Sequence, residues 1–255
     1  MKFYVIASSS KGNASYLEVG NHKILIDAGI SYTSIKNALA KIDVKIKEIT
    51  DLFITHEHND HIKGLIVLLK HVKPNIYMSK GTQNAIKFTE PIKPLKAFDP
   101  IKLTNLKITP LPLSHDAEEP LGFLFENQTK KIAYITDTGY ILSEVKELLQ
   151  NCTLYFLESN HDAYLLTNSK RPYHLIRRIL NEKGHLSNHD SAYYFSQMVG
   201  QDTSHLIFAH VSQECNTSQL IRQTYKEILT AQNKQFSHIE FIEALPDQPL
   251  EVIEL

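Results

Sequence analysis

Apolar and polar positions alternate with the two-residue period of a strand through the first thirty residues of the chain. Phe3–Ala7 reads as one strand. Tyr16–Val19 and Lys23–Asp27 read as two more, joined at Gly20-Asn21 in a hairpin turn. Ser34–Lys41 then takes on helical spacing. Asp51–Thr55 is a short, buried-looking strand that runs into the polar cluster His56-Glu57-His58-Asn59-Asp60-His61. The following stretch, residues 62–72, reads as one helix ended by Pro74. Further strands are expected at Asn75–Ser79, Lys107–Leu113, Leu121–Glu126, Lys131–Thr136, Leu154–Glu158 and His205–Ala209. Further helices are expected at Ile141–Gln150, Tyr173–Glu182, His189–Val199 and Thr217–Thr230, with a last β segment after them. Strands with helices between and after them predict an α/β protein whose helices cover its sheets. There is one internal echo: residues 25–30 (LIDAGI) and 134–140 (YITDTGY) each read hairpin, strand, Asp-x-Gly.

Composition narrows this picture. The chain has 255 residues with no low-complexity tract and no Pro/Gly/Ser linker, so a single domain over 1–255 is expected. Cys152 and Cys215 are the only cysteines and give no disulfide framework, which points to a reducing, cytoplasmic setting. The opening apolar run is five residues long, against roughly 7–15 for a secretory leader. No segment approaches the ~18–20 apolar residues of a membrane span, so no membrane partner is expected. Net charge is −1, but it is unevenly spread. His61–Lys107 carries nine lysines against Glu90 and Asp99, a local +7; Lys170–Lys183 carries a local +4, leaving −12 elsewhere. These stretches are either solvated faces or a basic surface for a polyanion.

The chemistry concentrates in residues 56–61, where three histidines and two acids fall within six positions, after a strand and before an apolar helix. In an extended segment, residues i and i+2 point the same way, so His56 and His58 can approach one metal ion together. Asp60 and His61 then lie where the chain turns and can aim at a second point. Imidazole and carboxylate suit Zn²⁺ or Mn²⁺. One loop cannot complete two sites. His115, Asp137 and His210 each follow an apolar run at a strand end, where a sheet places functional residues.

This pattern, an HxHxDH motif followed by His, Asp and His in that order over nearly the whole chain, resembles the metallo-β-lactamase superfamily. The resemblance implies an αββα four-layer sandwich with a dimetal site at one edge of the sheets. Its ligands would be His56, His58, Asp60, His61, His115, Asp137 and His210, with Asp137 bridging. Asp27 resembles the superfamily's first-motif aspartate, which is structural. Ser8–Asn13, residues 25–29 (LIDAG), 158–162 (ESNHD), 184–188 (GHLSN) and His210-Val-Ser212 together resemble the YycJ/WalJ branch, a set of bacterial DNA exonucleases of mismatch repair related to RNase Z. The large insertion of the β-CASP type is absent between Asp137 and His210.

A DNA exonuclease or other phosphodiesterase is therefore the expected activity, with nucleic acid, DNA first, as partner. Two divalent ions roughly 3.5–4 Å apart would lower the pKa of a water between them for in-line attack on phosphorus, with Asp60 orienting it. By resemblance, His185 is the proton donor to the leaving group, and Glu158 orients its ring; a helix-start or core histidine is the plainer alternative. His161 can touch substrate phosphate, support another residue or be structural. Ser10 and Asn13 sit in a small polar loop that either holds a phosphate through its amides and hydroxyls or is an ordinary turn. The competing activity is hydrolysis of a small ester, thioester or lactone at the same dimetal site, where the attack would fall on a carbonyl.

Overall fold

The computed structural model describes residues 1–255. The chain opens with β1 (Lys2–Ala7), β2 (Ala14–Val19) and β3 (His22–Ile26), then α1 (Tyr32–Ala40) and β4 (Asp51–Phe53). It continues through α2 (Asn59–Ile62), α3 (Leu65–His71), β5 (Asn75–Ser79), α4 (Lys80–Ala85), β6 (Lys93–Leu95), β7 (Ile101–Leu103), β8 (Leu106–Pro112), β9 (Leu121–Glu126) and β10 (Lys131–Ile135). The last part holds α5 (Ser143–Leu148), β11 (Leu154–Glu158), α6 (Ala163–Thr167), α7 (Tyr173–Leu180), α8 (Asn188–Met198), β12 (His205–Ala209), α9 (Ser218–Ala231), β13 (Glu240–Glu243) and β14 (Ile253–Glu254).

Two seven-stranded sheets result, ordered β14-β1-β2-β3-β4-β5-β6 and β13-β12-β11-β10-β9-β8-β7. The echo seen in the sequence is a structural repeat. From β1 to β6 the pairings run antiparallel, antiparallel, then parallel three times. From β8 to β13 they run the same way. Asp27 and Asp137 follow equivalent strands, β3 and β10, and both take positive φ, 60° and 56°.

Alternation along each strand explains the layers. Phe3, Val5, Ile24 and Ile26 face the other sheet and meet Phe123, Phe125, Tyr134 and Phe156 in a core of 22 buried residues. Tyr4, Ile6 and Leu25 face the opposite way, against Ile35 and Leu39 of α1 and Leu65 and Leu68 of α3. Tyr155 and Leu157 likewise pack under Val145 of α5, Phe195 of α8 and Tyr225 of α9. Both faces of each sheet are thus covered, so the apolar–polar alternation expected for the first thirty residues gives way to strands buried on both sides, as in Phe3–Ala7. The architecture is α/β, in the αββα order anticipated above.

Two expectations change. Residues 62–72 do not form one helix: α2 ends at Ile62 and α3 starts at Leu65. The break is at Gly64, whose N–H donates to Ala28 O at 2.7 Å and whose missing Cβ would lie 2.1 Å from Ile30 O. The short elements α4, α6, β6 and β7 carried no clear periodic signal, being three to six residues long. No helix is long and apolar enough to cross a membrane.

Candidate metal centre

The candidate residues leave the carboxyl ends of strands and gather at one edge of the sandwich. Asp27 follows β3, His56–His61 follow β4, His115 follows β8, Asp137 follows β10, Glu158 ends β11 and His210 follows β12. Strand ends of this kind are where α/β sheets put their ligand sites. Asp137 and His210 hold left-handed backbone, φ 56° and 52°. Such conformations cost about 1–3 kcal/mol each and persist only where the surroundings impose them. At His210 the surroundings are explicit: its N–H donates to Ser8 Oγ at 2.9 Å, and Asn160 Nδ2 donates to its carbonyl at 2.8 Å.

The segment after β4 is extended as far as His58 and turns into α2 at Asn59. His56 and His58 therefore project together, their ring centroids 4.7 Å apart, and His115 meets them at 5.1 and 4.9 Å. One ligand atom from each of these three lies within 4.8 Å of the others. His61 packs against His56, ring centroids 4.1 Å apart, and its Nε2 lies 3.1 Å from Asp137 Oδ2 and 3.5 Å from Asp60 Oδ2. His210 joins there, Nε2 lying 3.7 Å from Asp60 Oδ2 and Nδ1 3.3 Å from Asp137 Oδ1. Asp137 stands between the two groups, since its Oδ1 is also 4.0 Å from His115 Nε2. All seven residues proposed from the sequence as ligands are thus brought together.

Four of the five rings follow one rule; His58 is the exception, its Nδ1 lying 3.2 Å from His115 Nε2. Nδ1 of His61 lies 2.8 Å from Asp27 Oδ2, Nδ1 of His115 lies 3.2 Å from Gly184 O, and Nδ1 of His210 lies 3.0 Å from Glu158 Oε1. Nδ1 of His56 lies 3.0 Å from Thr55 Oγ1, whose hydroxyl donates in turn to Asp27 Oδ2 at 2.9 Å. Oxygen acceptors thus hold the outer nitrogens and leave the Nε2 atoms aimed inward. His56 Nε2 and His210 Nε2 are sealed from solvent with no protein partner. A buried polar atom without a partner costs about 1–3 kcal/mol, so such atoms are rare in folded proteins. Inward lone pairs facing acidic oxygens are the donor set of a divalent cation, and the residues fit one.

Protein charges alone pull the groups apart. Burial acts to discharge His210, but Asp137, Asp60 and Glu158 outweigh it and raise its pKa to about 10. Burial also opposes charge on His61, yet Asp27 and Asp137 hold it well above the ordinary imidazole value. Burial dominates at His56 and His115, which are pushed down. Burial would raise Asp60 and Asp137, but hydrogen bonds and charge from His210 and His61 keep both carboxyls below their usual range.

Beside the cage, His185 is partly exposed and its Nδ1 lies 2.7 Å from Glu158 Oε1, the oxygen that also faces His210. His185 lines a cleft shared with His210, Ser10, Arg171 and Arg178. Two of the candidate substrate residues do not reach that cleft. Asn13 is buried, taking Ser9 N–H on its Oδ1 and turning Nδ2 to Ser9 O and His61 Nε2, both at 3.0 Å, and to Asp60 Oδ2 at 3.3 Å, so it braces the Asp60–His61 turn. His161 is also buried, with neither ring nitrogen bonded, behind the His161–Ser187 bridge. Ser10 alone of the three is open to a ligand. Sequence reasoning missed Thr55, which ties Asp27 to His56, and Asp116, whose Oδ1 lies 3.4 Å from His115 Nε2 and 3.7 Å from His58 Nε2. It also missed the two arginines individually, although the basic run 170–183 pointed to their segment.

A profile of the Beta-lactamase superfamily domain matches residues 22–211. The exodeoxyribonuclease YycJ of Bacillus anthracis is 32% identical over 240 residues, covering 90% of this chain and 89% of that protein. The exodeoxyribonuclease WalJ of Streptococcus pneumoniae is 32% identical over 231 residues, covering 88% and 86%. Among solved structures, the metallo-β-lactamase fold protein YhfI of Bacillus subtilis superposes with a TM-score of 0.73 at 14% identity, covering 98% of each chain. The chain belongs to the β-lactamase superfamily and, within it, to the family of YycJ and WalJ.

Proposed function

We propose that this protein is a cytoplasmic, dimetal-dependent exonuclease that hydrolyses phosphodiester bonds of DNA, with a role in DNA repair. The observation that carries the chemistry is the cage of inward nitrogens and acidic oxygens that share Asp137. The substrate class rests on the relatives named exodeoxyribonucleases at 32% identity. We read the chain as one domain, because a single core joins both sheets; two separate calorimetric transitions would count against it.

In this reading His56, His58 and His115 would hold one Zn²⁺ or Mn²⁺ and Asp60, His61 and His210 a second, with Asp137 within reach of both sets of ligands. When bound, the ions supply Lewis acidity toward phosphoryl oxygens and lower the pKa of water at the site. The protein's own part is orientation and proton handling. Asp27, Thr55, Gly184 and Glu158 fix the four rings so that Nε2 faces inward. Asn13 holds the Asp60 turn, which places that carboxylate toward an attacking water. His185, held at Nδ1 by Glu158, keeps a proton at Nε2 for the leaving oxygen.

The test is incubation of the purified protein with Mn²⁺ or Zn²⁺ and end-labelled single- and double-stranded DNA and RNA. A ladder shortening from one DNA end is expected. Turnover of a thioester, a lactone or nitrocefin, with no cleavage of any nucleic acid, would replace this reading with the small-molecule one.

A further inference from the structure

The cleft beside His185 and His210 has a composition that the metal centre does not need. It measures about 390 Å³. Its apolar lining is Leu175, Ile179 and Val211, and its charged lining is Arg171, Arg178 and Glu214. Ligand pockets run from about 300 to 1,000 Å³, so this one admits a nucleotide-sized unit and no duplex. Arg171 reaches it from the loop just before α7 and Arg178 from the last turn of that helix, which is anchored by Ile176 and Ile179 on a small core of their own with Leu166 and Cys215.

Each arginine is held by a carboxylate that a phosphate can replace. Arg178 Nε donates to Asp116 Oδ2 at 2.6 Å, and Arg171 Nε donates to Glu214 Oε2 at 3.0 Å. Each pair has one open member, Arg178 at 55% and Glu214 at 71% exposure, and one half-buried member, Asp116 at 34% and Arg171 at 24%. Single-contact pairs open to solvent on one side stay close to the ~0–1 kcal/mol of surface ion pairs, whereas an arginine fork on phosphate is a stronger, charge-assisted contact. The carboxylates thus keep both side chains placed and are easily exchanged. None of the nine lysines of His61–Lys107 lines this cleft.

We propose that this cleft receives the unpaired nucleotide adjoining the scissile phosphate of a single strand. Arg171 and Arg178 exchange Glu214 and Asp116 for the strand's phosphates, and the sugar and base lie on Leu175, Ile179 and Val211. The identity of the strand rests on the nuclease reading; the clamp itself is testable by binding. The site accordingly selects a frayed or single-stranded end.

The experiment measures fluorescence anisotropy of a labelled single-stranded phosphorothioate oligonucleotide, which resists cleavage, on metal-loaded protein at several salt concentrations. Arg171→Ala and Arg178→Lys are each expected to weaken binding roughly ten-fold, and Arg171→Ala to reduce the salt slope by about one. Glu214→Gln, which frees Arg171 and removes a negative charge from the cleft, is expected to tighten binding by about two- to five-fold. Thermal unfolding of each variant reports that it has folded. No change in any variant, or weakening by Glu214→Gln as well as Arg171→Ala, would overturn the clamp, as would failure of the wild type to bind. Arginine-dependent binding with no cleavage of an ordinary oligonucleotide would uphold the clamp and sink the nuclease reading alone.

Discussion

Asp27→Asn isolates the orienting network without disturbing the backbone. Asp27 sits at φ 60°, a conformation that asparagine adopts readily, and its side chain is fully buried. Its Oδ1 accepts from Thr55 N–H at 2.8 Å, and asparagine Oδ1 keeps that bond. Its Oδ2, 2.8 Å from His61 Nδ1, becomes an NH₂ group that can only donate. His61 must then accept at Nδ1 and carry its proton on Nε2, the atom that faces Asp137. Loss of an orienting partner of this sort costs roughly 10–100-fold in metal affinity, or about 1.4–2.7 kcal/mol. The mismatch also leaves a buried donor poorly satisfied, at a further cost to folding of about 1–3 kcal/mol. Titration against a chromophoric chelator, together with metal analysis of the purified protein, gives the first quantity, and denaturant unfolding gives the second. The loss should fall mainly on the ion that His61 holds, since His56 is touched only through Thr55, whose hydroxyl can turn from Asp27 Oδ2 to Oδ1, 3.1 Å away. A folded variant that binds both ions with wild-type affinity would refute the reasoning, and so would equal weakening of both.

Metal uptake should release protons. In the metal-free protein His210, with a pKa of about 10, and His61, also raised, are charged at pH 7 and must each lose a proton to bind through Nε2. About two protons per chain are expected from calorimetry in buffers of different ionisation enthalpy, with affinity rising as pH climbs toward 10; buffer-independent heats would contradict this. Gly29→Ala places a Cβ 1.6 Å from Asp60 O, so the Asp60 turn must move, and metal content should fall by at least half while the helical circular dichroism persists. Full metal content would show that the turn adapts. His185→Ala should lower turnover of an oligonucleotide roughly 10²–10⁴-fold with both ions retained, and far less on a nitrophenyl phosphodiester, whose leaving group needs no proton. An equal loss on both substrates would remove the proton-donor role.

Much of the centre was legible in residues 56–61 because the signal there is local. Alternation along an extended segment places His56 with His58, and the turn into α2 brings His61 back against His56, their ring centroids 4.1 Å apart, within the same short stretch of chain. His115, Asp137 and His210 could be nominated only as lone polar groups after apolar runs; their convergence depends on strands far apart in sequence lying side by side in one sheet. Of the alternatives left open for Asn13 and His161, burial favours the supporting roles over substrate contact, and burial of a polar side chain cannot be read from its type.

By itself the sequence determined where most strands run, the Asp-x-Gly turns at 27 and 137, and the chemistry of the histidine cluster, since each depends on residues within a few positions of one another. Only the tertiary structure decided where α3 begins, which oxygens hold the outer ring nitrogens, and that Arg171 and Arg178 share a cleft with His185. Those features are contacts between segments tens to hundreds of residues apart, such as Gly64 with Ala28 or His210 with Ser8. Their partners are set by how two sheets and their helices pack, and no period or spacing along the chain encodes a pairing of that kind.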